Sequence, residues 1–316
     1  MGKKRRGHDG GSQHGGGKQA RITDDAHPPS QPSASNLLSR TSSTTRAHLT
    51  SAKFSSLGLS APTARAVSEV LCYETMTLVQ EATMPVIMKG RDVIAKAKTG
   101  TGKTIGFLLP TIERLAGGPR GIAALAISPT RELASQIQAE CEQLITFHKP
   151  ALSSFVVVGG TNVHADVSRL AARPPSVLVA TPGRLKDLLL NHGLASKMAG
   201  LRTLIFDEAD QLLSMGFRPD IEAILAALAP SAPKRQTLLF SATLPKDVCA
   251  IAKVATRDAQ LIDTVGEEDN THAHVDQSVT VTNLGTQSAE LLGLLQRLRR
   301  EPHKIVVFFT TARLTQ

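Results

Sequence analysis

The stretch Ala97-Lys98-Thr99-Gly100-Thr101-Gly102-Lys103-Thr104 decides the fold of this sequence. It follows a largely apolar run over 92–97, which predicts a strand, and it opens an amphipathic run over 104–115, which predicts a helix. A glycine-rich loop in this position cradles phosphates with its backbone N–H groups, and the helix adds the positive end of its dipole. The stretch therefore predicts a phosphate-binding loop, in which Lys103 contacts the β- and γ-phosphates and the Thr104 hydroxyl ligates Mg²⁺.

A second signal lies at 203–210, where the apolar run Thr-Leu-Ile-Phe ends in Asp-Glu-Ala-Asp. A buried strand that delivers carboxylates at its carboxyl end builds a magnesium site beside a phosphate loop. We expect Asp207 to hold Mg²⁺ largely through water, and Glu208 to orient and deprotonate an attacking water. For Asp210 two roles stay open, a cap of the following helix and a contact at the site itself.

Short aliphatic runs alternate with helical stretches from residue 54 onward. The predicted strands cover 92–97, 124–128, 154–158, 176–180, 203–206 and 237–240. The predicted helices cover 104–115, 132–147, 163–171, 184–190, 221–228 and 246–254. This alternation predicts an α/β fold, a parallel sheet flanked by helices. Ligands bind such sheets at the carboxyl ends of the strands, so the chemistry is expected directly after each run.

The net charge of +9 is concentrated in residues 1–53, which hold nine Lys or Arg and three Asp. This segment is rich in Gly, Ser, Thr, His and Pro, and its composition predicts a disordered basic tail. The run Lys3–Arg6 fits a solvated tail, a nuclear-import or RNA-contacting patch, or part of an organellar targeting segment. The expected localisation is intracellular, with nuclear or nucleolar and mitochondrial or chloroplast alternatives both open.

Cysteine spacing and hydropathy argue against a disulfide-linked protein and against a membrane-spanning protein. Cys72, Cys141 and Cys249 show no CxxC spacing, which predicts free thiols in a reducing compartment. No stretch approaches roughly 18 consecutive apolar residues, so no membrane span is expected. Aromatic residues make up only 3%, and the core is therefore expected to be aliphatic.

Seven motifs follow one another along the chain. They are Gln80, AKTGTGKT (97–104), PTRELA (129–134), GG (159–160), TPGR (181–184), DEAD (207–210) and SAT (241–243). This order resembles the first RecA-like domain of the DEAD-box ATP-dependent RNA helicases, over roughly residues 54–263. The resemblance implies a RecA-like P-loop NTPase fold, ATP and Mg²⁺ as cofactors, and ATP hydrolysis coupled to RNA unwinding or RNP remodelling. The stretch 73–103 also resembles the plant and fungal helicases of the Mss116 type.

The resemblance further implies how the nucleotide is bound. Gln80 is similar to a glutamine that recognises the adenine edge, Tyr73 to an aromatic that stacks on the base, and Phe54 to an upstream aromatic that supports it. A glutamine amide suits this role because it bonds an amino group and a ring nitrogen together. The phosphates are expected to bind along the whole loop. It comprises Lys98, Thr99, Gly100, Thr101, Gly102, Lys103 and Thr104. The sequence departs mildly from the family at Cys72-Tyr73, where Gly-Phe is common.

Three further motifs predict an RNA track. Each follows a strand and offers backbone N–H groups, hydroxyls or an arginine, which suits phosphates and sugars and predicts sequence-independent RNA binding. The residues concerned are Pro129, Thr130, Arg131, Gly159, Gly160, Thr181, Pro182, Gly183 and Arg184. For Glu132 and Arg184 the alternative is a bond to each other or to neighbouring loops. Ser241 and Thr243, with Asp210, resemble residues that couple the nucleotide site to the RNA track, although buried hydroxyls also bond nearby backbone.

The predicted organisation has four parts. A basic tail (1–53) precedes the ATP-binding domain (54–263, with the Gln80 motif over 54–80), a linker (264–274) and the start of a helicase C-terminal domain (275–316). In the last part we expect a strand over 275–282, a helix over 288–300 and a strand over 304–309. The family's later motifs RGxD and HRxGRxGR, which carry arginine fingers, do not follow the ATP-binding domain in the sequence, within residues 264–316. We therefore expect a fragment that binds ATP·Mg²⁺ with little turnover. The alternative is a non-cycling ATP- and RNA-binding or partner-binding module, with no particular protein partner indicated.

Overall fold

The computed structural model describes residues 49–119, 121–148, 150–265, 278–298, 304–311 and 315. Two compact units are present, Met1–Gly266 and Glu267–Gln316, and their division falls inside the segment predicted as a linker. The first 48 residues of the predicted tail, including the Lys3–Arg6 run, lie outside the described residues.

Nine strands occur within the described part of the first unit. In chain order they are β1 (Leu49–Lys53), β2 (Thr75–Thr77), β3 (Val93–Lys96), β4 (Ala124–Ile127), β5 (Ser154–Val157), β6 (Val177–Ala180), β7 (Thr203–Phe206), β8 (Gln236–Ser241) and β9 (Gln260–Asp263). Strands β3 to β9 form one parallel sheet in the order β5-β6-β4-β7-β8-β3-β9. Strands β1 and β2 form a separate antiparallel pair. The predicted parallel α/β sheet is confirmed.

The six strands predicted from sequence are all present, and each end lies within one residue of its prediction. Their signal is strong because β4, β6, β7 and β8 are buried at every position. Strands that are covered on both faces consist of continuous apolar runs. The strand β9 was not predicted, since it lies at the sheet edge and buries only Ile262.

Helices cover the strands. In the first unit they are α1 (Ala61–Arg65), α2 (Leu78–Met88), α3 (Lys103–Leu115), α4 (Arg131–Leu144), α5 (Val163–Ala172), α6 (Pro182–Asn191), α7 (Leu194–Lys197), α8 (Ala209–Ser214), α9 (Arg218–Ala227) and α10 (Lys246–Ala255). A π-helical turn, Ala66–Val70, continues α1. The second unit contains α11 (Gln287–Leu298). Within the described residues, no helix has the length and apolar character needed to cross a membrane.

The predicted helix bounds need adjustment at their ends. The helix α6 begins two residues before its prediction and α9 begins three residues before. In each case a proline stands in the first turn, where its missing N–H costs no helical hydrogen bond. The helix predicted over 132–147 ends at Leu144, and a separate 3-10 turn follows at Thr146–His148.

The core lies on both faces of the sheet. One buried cluster centres on α3, where Phe107 packs edge-on against Phe240 of β8 with ring centroids 5.3 Å apart. A second cluster on the other face joins β4, β6 and β7 to α6, α9 and α10. Most buried side chains are aliphatic, as the composition predicts. The sheet is thereby fixed from both sides, and its carboxyl edge is left to carry loops.

Two expectations from sequence are wrong. The predicted disordered tail extends to residue 53, yet Leu49–Lys53 forms β1, because its backbone pairs with β2 and the Thr50 hydroxyl donates to the Met76 carbonyl at 3.0 Å. In the second unit, neither 304–309 nor the described part of 275–282 forms a strand. Strand backbone requires a hydrogen-bonded partner, and the described residues of this unit contain no other strand.

Candidate functional site

Three neighbouring strands bring the strongest motifs together. In the order β7-β8-β3, the phosphate-loop sequence follows β3, the two carboxylates follow β7, and Ser241 ends β8. Because the strands are parallel, their carboxyl ends meet at one edge; Lys96 is in register with Ser241, and the N–H of Ala97 donates to the Ser241 carbonyl at 2.9 Å. The first candidate site therefore lies at this part of the sheet edge, where such folds bind ligands.

The loop between β3 and α3 depends on two glycines in the left-handed region. Gly100 has φ +76° and Gly102 has φ +85°, and Gly102 caps the amino end of α3. A Cβ atom on Gly102 would lie 2.5 Å from Nε2 of Gln80, so no other residue fits there without a shift. The Thr101 hydroxyl donates to the Lys98 carbonyl at 2.8 Å and closes the turn. The result is a compact loop at a helix amino end, as a phosphate site requires.

Three charged side chains are buried beside this loop. Nζ of Lys103 lies 2.7 Å from Oε1 of Glu208, and the two side chains are 5% and 8% exposed. Within the described residues, Oε2 of Glu208 and Oδ1 of Asp207 are buried without a hydrogen-bond partner. Burial, followed by repulsion from Glu208, raises the pKa of Asp207 to about 7, although Lys103 acts in the opposite direction. Buried carboxylates with unused oxygens indicate that this cluster is completed by a bound group.

The backbone at Glu208 is strained. Its φ of +48° lies in the left-handed region, where residues other than glycine and asparagine are uncommon. Glu208 occupies the cap position of α8, directly after Asp207, and this conformation turns its carboxylate back toward Lys103. Strain of this kind, of the order of 1–3 kcal/mol, concentrates at functional sites.

A cavity of about 670 Å³ extends from these charges along the loop. Eight predicted nucleotide-binding residues line it, namely Tyr73, Gln80, Thr99, Gly100, Thr101, Gly102, Lys103 and Thr104. Phe54 and Lys98 do not line the cavity. Phe54 is buried behind Tyr73, with the two rings stacked at a centroid distance of 6.4 Å, and Lys98 contributes its carbonyl oxygen to the loop.

Gln80 connects the upstream segment to the loop. Its Nε2 donates to the Gly102 carbonyl at 3.0 Å, and its Oε1 accepts from the Thr77 N–H at 2.9 Å. The Thr77 hydroxyl in turn accepts from the Gln80 N–H, which completes a capping box at the start of α2. Gln80 therefore positions the loop, and its amide keeps one N–H and one oxygen lone pair for a further partner.

Asp210 joins the carboxylate motif to the loop after β8. Its Oδ2 accepts from both the N–H and the hydroxyl of Thr243, at 3.0 and 2.7 Å, and its Oδ1 accepts from the N–H of Gln211. The Asp210 N–H donates to the Ser241 hydroxyl at 3.1 Å. The predicted cap role is wrong, because Asp210 is the second residue of α8 and Glu208 holds the cap position. Its side chain instead bridges α8 to the Ser241-Ala-Thr243 segment, and a contact with bound nucleotide stays a prediction.

Comparison with known proteins agrees with this geometry. Residues 77–251, more than half of the chain, match the DEAD/DEAH box helicase family. This chain is a member of the DEAD/DEAH box helicase family. It is 46% identical over 282 residues to DEAD-box ATP-dependent RNA helicase 31 of Oryza sativa subsp. japonica, and 44% identical over 283 residues to the protein of that name in Arabidopsis thaliana. Each alignment covers 85% of this chain, but only 50% and 39% of those relatives, so the chain spans half or less of their length.

Solved helicase structures share the fold. The structure of Mss116p bound to ssRNA and AMP-PNP is 32% identical, with a TM-score of 0.69 over 78% of this chain and 51% of that one. A DEAD box protein from the hyperthermophile Methanococcus jannaschii is 31% identical, with a TM-score of 0.61 over 77% of this chain and 63% of that one. The RecA-like expectation for the DEAD-box domain is thereby confirmed.

The remaining helicase motifs lie at the other half of the same edge, after β4, β5 and β6. The Arg131 guanidinium rests against Gly160, which has φ +82°, and a Cβ there would lie 2.7 Å from Nη1 of Arg131. The Thr181 hydroxyl accepts from the Gly159 N–H at 3.3 Å. The Thr130 hydroxyl caps α4. The structure thus brings the three predicted RNA motifs together at this part of the sheet edge, although Pro129, Thr181 and Pro182 are buried there.

Arg184 is engaged within the protein. Its guanidinium forms an ion pair with Asp166 and donates to both the hydroxyl and the carbonyl of Thr161, and its side chain is only 8% exposed. Of the two alternatives, the neighbouring-loop bond is the one observed, and Glu132 is not its partner. This contact favours a role for Arg184 in holding the 161–166 turn in place rather than in touching RNA directly.

Sequence reasoning missed part of the cavity wall. Leu49, Cys72, Gln136, Glu140 and Gln211 also line it. The α4 and α8 residues lie on the exposed sides of amphipathic helices, where the sequence gives no sign of a ligand. Leu49 belongs to a segment that composition assigned to the tail. Only Cys72 had a signal, its departure from the common glycine of the DEAD-box helicases.

Proposed function

We propose that the chain is the ATP-binding part of an ATP-dependent RNA helicase, which binds ATP·Mg²⁺ in the cavity and RNA along the edge formed by the ends of β4, β5 and β6. The observation that carries the proposal is the buried set of Lys103, Asp207 and Glu208. These three residues line the cavity beside the glycine-rich loop. Two carboxylates and one lysine leave this pocket short of positive charge. The Mg²⁺ ion of a magnesium nucleotide would supply that charge, and the phosphate oxygens would pair with Lys103.

At the phosphate end of the cavity, each charged or polar side chain has a proposed role in binding or hydrolysis of ATP. Lys103 leaves the Glu208 carboxylate and pairs with the terminal phosphates, because phosphate oxygens carry more charge than one carboxylate. Glu208 is then released to orient a water and take its proton. The unpartnered Oδ1 of Asp207 and the half-buried Thr104 hydroxyl fit a magnesium ion held largely through water. Such an ion, when bound there, would neutralise charge that develops on the phosphates.

No larger metal site competes with this assignment. Across the ranges that the structure describes, no group of three or more His, Cys, Asp or Glu could hold a metal ion. Mg²⁺ is bound in nucleotide sites by one or two carboxylates together with water and substrate phosphates. The pair Asp207 and Thr104 is therefore sufficient only when a nucleotide is present, which makes ATP and Mg²⁺ a joint ligand.

The other end of the cavity suits an adenine base. Tyr73 is 47% exposed and offers its ring face, backed by the buried Phe54. Gln80 retains one N–H and one acceptor lone pair, the combination that an adenine N7 and amino group require. Since Gln80 also holds the Gly102 carbonyl, base recognition and loop position act through one side chain.

RNA is the proposed macromolecular substrate. The related rice and Arabidopsis proteins are named RNA helicases, and the Mss116p structure contains ssRNA. The available groups at the ends of β4, β5 and β6 are backbone N–H groups, hydroxyls and Arg131, which suit the sugar–phosphate chain and predict little base preference. In the complete helicase, hydrolysis of ATP would drive local separation of an RNA duplex.

The nucleotide assignment is tested with Lys103→Ala and Glu208→Gln in the 316-residue chain. We measure binding of a fluorescent ATP analogue by anisotropy and phosphate release in separate assays. Lys103→Ala should lower affinity at least about 100-fold, since it removes a charge-assisted contact and strands two buried carboxylates. Glu208→Gln should bind ATP and lose any hydrolysis that the unaltered chain shows.

Lys89→Ala, which alters an exposed lysine at the end of α2, is the matched control and should bind normally. Equal ATP affinity of Lys103→Ala and this control would remove the cavity from its proposed role.

RNA binding is tested through its salt dependence. Affinity for single-stranded RNA should fall linearly on a logarithmic plot against salt, and Arg131→Ala should reduce the slope by about one. Affinities for two unrelated RNA sequences of equal length should agree within a few-fold. A strong preference for one sequence, or an unchanged slope, would contradict the proposed backbone-reading edge.

A further inference from the structure

Cys72 lies on the wall of the nucleotide cavity with its thiol exposed. It has φ +55°, a left-handed conformation in which residues other than glycine are uncommon. The turn is fixed on both sides, because the Leu71 N–H donates to the Ala66 carbonyl and the Tyr73 N–H donates to the Val67 carbonyl, both at 3.0 Å. The position of the thiol beside Tyr73 is therefore set by the backbone.

The cavity that Cys72 borders is built for a ligand. At its far end, the buried Oδ1 of Asp207 and Oε2 of Glu208 have no hydrogen-bond partner within the described residues. The thiol itself is held only loosely, with Sγ 3.9 Å from the Glu69 carbonyl oxygen. Cys72 and Tyr73 are adjacent and both line the cavity, so a molecule bound against Tyr73 and a group attached to Cys72 would compete for the same wall.

The other two cysteines provide internal comparisons. Cys141 is fully buried in α4, and burial raises the pKa of its thiol to about 12, so it is unreactive. Cys249 is exposed on α10 and does not line the cavity. The chain thus carries one exposed thiol at the cavity, one exposed thiol away from it, and one buried thiol.

We propose that Cys72 is a nucleotide-gated modification site that forms a mixed disulfide with glutathione. The proposal rests on the proposed nucleotide function of the cavity. The Cys72 thiolate attacks one sulfur of glutathione disulfide, the S–S bond of that molecule breaks, and a new S–S bond forms to the protein. The second glutathione leaves as a thiolate and takes up the proton that Cys72 lost, so no other oxidant is needed.

The adduct and the nucleotide exclude each other. The glutathionyl group occupies the space beside Tyr73 and Gln80, where the base is proposed to lie, and therefore lowers nucleotide affinity. Linkage requires the converse, that bound nucleotide disfavours the adduct by the same factor. An oxidised thiol pool would then switch off ATP binding, and a reducing agent would restore it.

The experiment follows each thiol by mass spectrometry of its peptide. The intact chain is treated with glutathione disulfide, with and without ADP·Mg²⁺ at about 100 times its measured Kd. If the bound form is fully shielded, modification of Cys72 should slow by about 100-fold, since only the free fraction reacts. Modification of Cys249 should change less than twofold, and Cys141 should stay unmodified throughout.

A second measurement tests the consequence for binding. In a Cys249→Ser background, glutathionylated protein should bind a fluorescent ADP analogue at least tenfold more weakly than untreated protein. Dithiothreitol, which removes the glutathionyl group, should restore the affinity of the untreated protein. In Cys72→Ser, binding before and after the same treatment should be equal, whatever its level.

The two proposals fail in different ways. Untreated protein that binds no nucleotide would refute the proposed function. Untreated protein that binds nucleotide, while Cys72 reacts equally fast with and without it, would refute the gated thiol alone. An adduct that binds nucleotide as well as untreated protein does would refute it too.

Discussion

Replacing Asp207 by asparagine should stabilise the metal-free protein, and increasingly so as the pH rises. The structure gives the reason, because the Asp207 carboxyl is 5% exposed, its Oδ1 has no hydrogen-bond partner within the described residues, and its neighbour Glu208 repels a second negative charge. Asparagine has nearly the same shape and carries no charge. The carboxylate is therefore expected to be a cost to folding that magnesium nucleotide offsets when it binds.

The sign and size follow from proton linkage. Asp207 has a pKa of about 7 in the folded protein, against 3.8 for an ordinary aspartate. Between these values the folded state binds more protons than the unfolded state, so the free energy of unfolding falls as the pH rises. From pH 5 to pH 8 the loss amounts to about 2–3 kcal/mol, and it is absent from Asp207→Asn.

The assay is urea unfolding in EDTA at pH 5 and pH 8, followed by circular dichroism because the chain has no tryptophan. The control is Glu81→Gln, which neutralises an exposed carboxylate on α2 and should track the unaltered protein at both pH values. A stability difference between Asp207→Asn and the unaltered chain that is the same at pH 5 and pH 8 would refute the reasoning. Any ATP hydrolysis that the unaltered chain shows should be lost in the variant, which is the expected trade between stability and function.

Three further substitutions test other parts of the site. Leu49→Ala should weaken nucleotide binding several-fold by anisotropy, because Leu49 lines the cavity, whereas Ser51→Ala on the same strand should leave it unchanged. Asp210→Ala should lower the free energy of unfolding in urea by about 0.5–1.5 kcal/mol, since it removes two exposed hydrogen bonds from the loop after β8, whose donors water can then satisfy. Gly160→Ala should weaken RNA binding by displacing Arg131, and normal RNA affinity of this variant would contradict the close contact between them.

The sequence predicted the sheet well because four of its seven strands, β4, β6, β7 and β8, are buried at every position. The strand predicted over 203–206 begins and ends at the same residues as β7. The carboxylates that follow it lie beside Lys103, as expected for residues directly after a strand of a parallel sheet. The position of each motif could be predicted from two local features of the sequence, an apolar run that forms a strand and the residues directly after it. The parallel sheet then brings such positions to one edge without any further information.

Contacts between segments far apart in sequence could not be predicted in the same way. The strand β1 is short and mixed in character, and its partner β2 lies more than 20 residues along the chain, so neither strand has a periodic signal of its own. The pairing of Arg184 with Asp166 is also a property of the folded turn. Sequence position predicts an RNA-contacting arginine, which stays a prediction, but it gives no sign that the guanidinium bonds Asp166 and Thr161 in the folded protein.

The strand order separates two kinds of chemistry on one edge. The motifs proposed to bind nucleotide follow the contiguous strands β7, β8 and β3, while those proposed to bind RNA follow β5, β6 and β4. The boundary lies between β4 and β7, where the Asp207 N–H donates to the Ile127 carbonyl at 2.9 Å. Directly after Ile127 come the buried Ser128, whose hydroxyl has no partner within the described residues, and then Pro129. The backbone of Asp207, in the proposed nucleotide site, is therefore one hydrogen bond away from the strand that precedes the first predicted RNA motif.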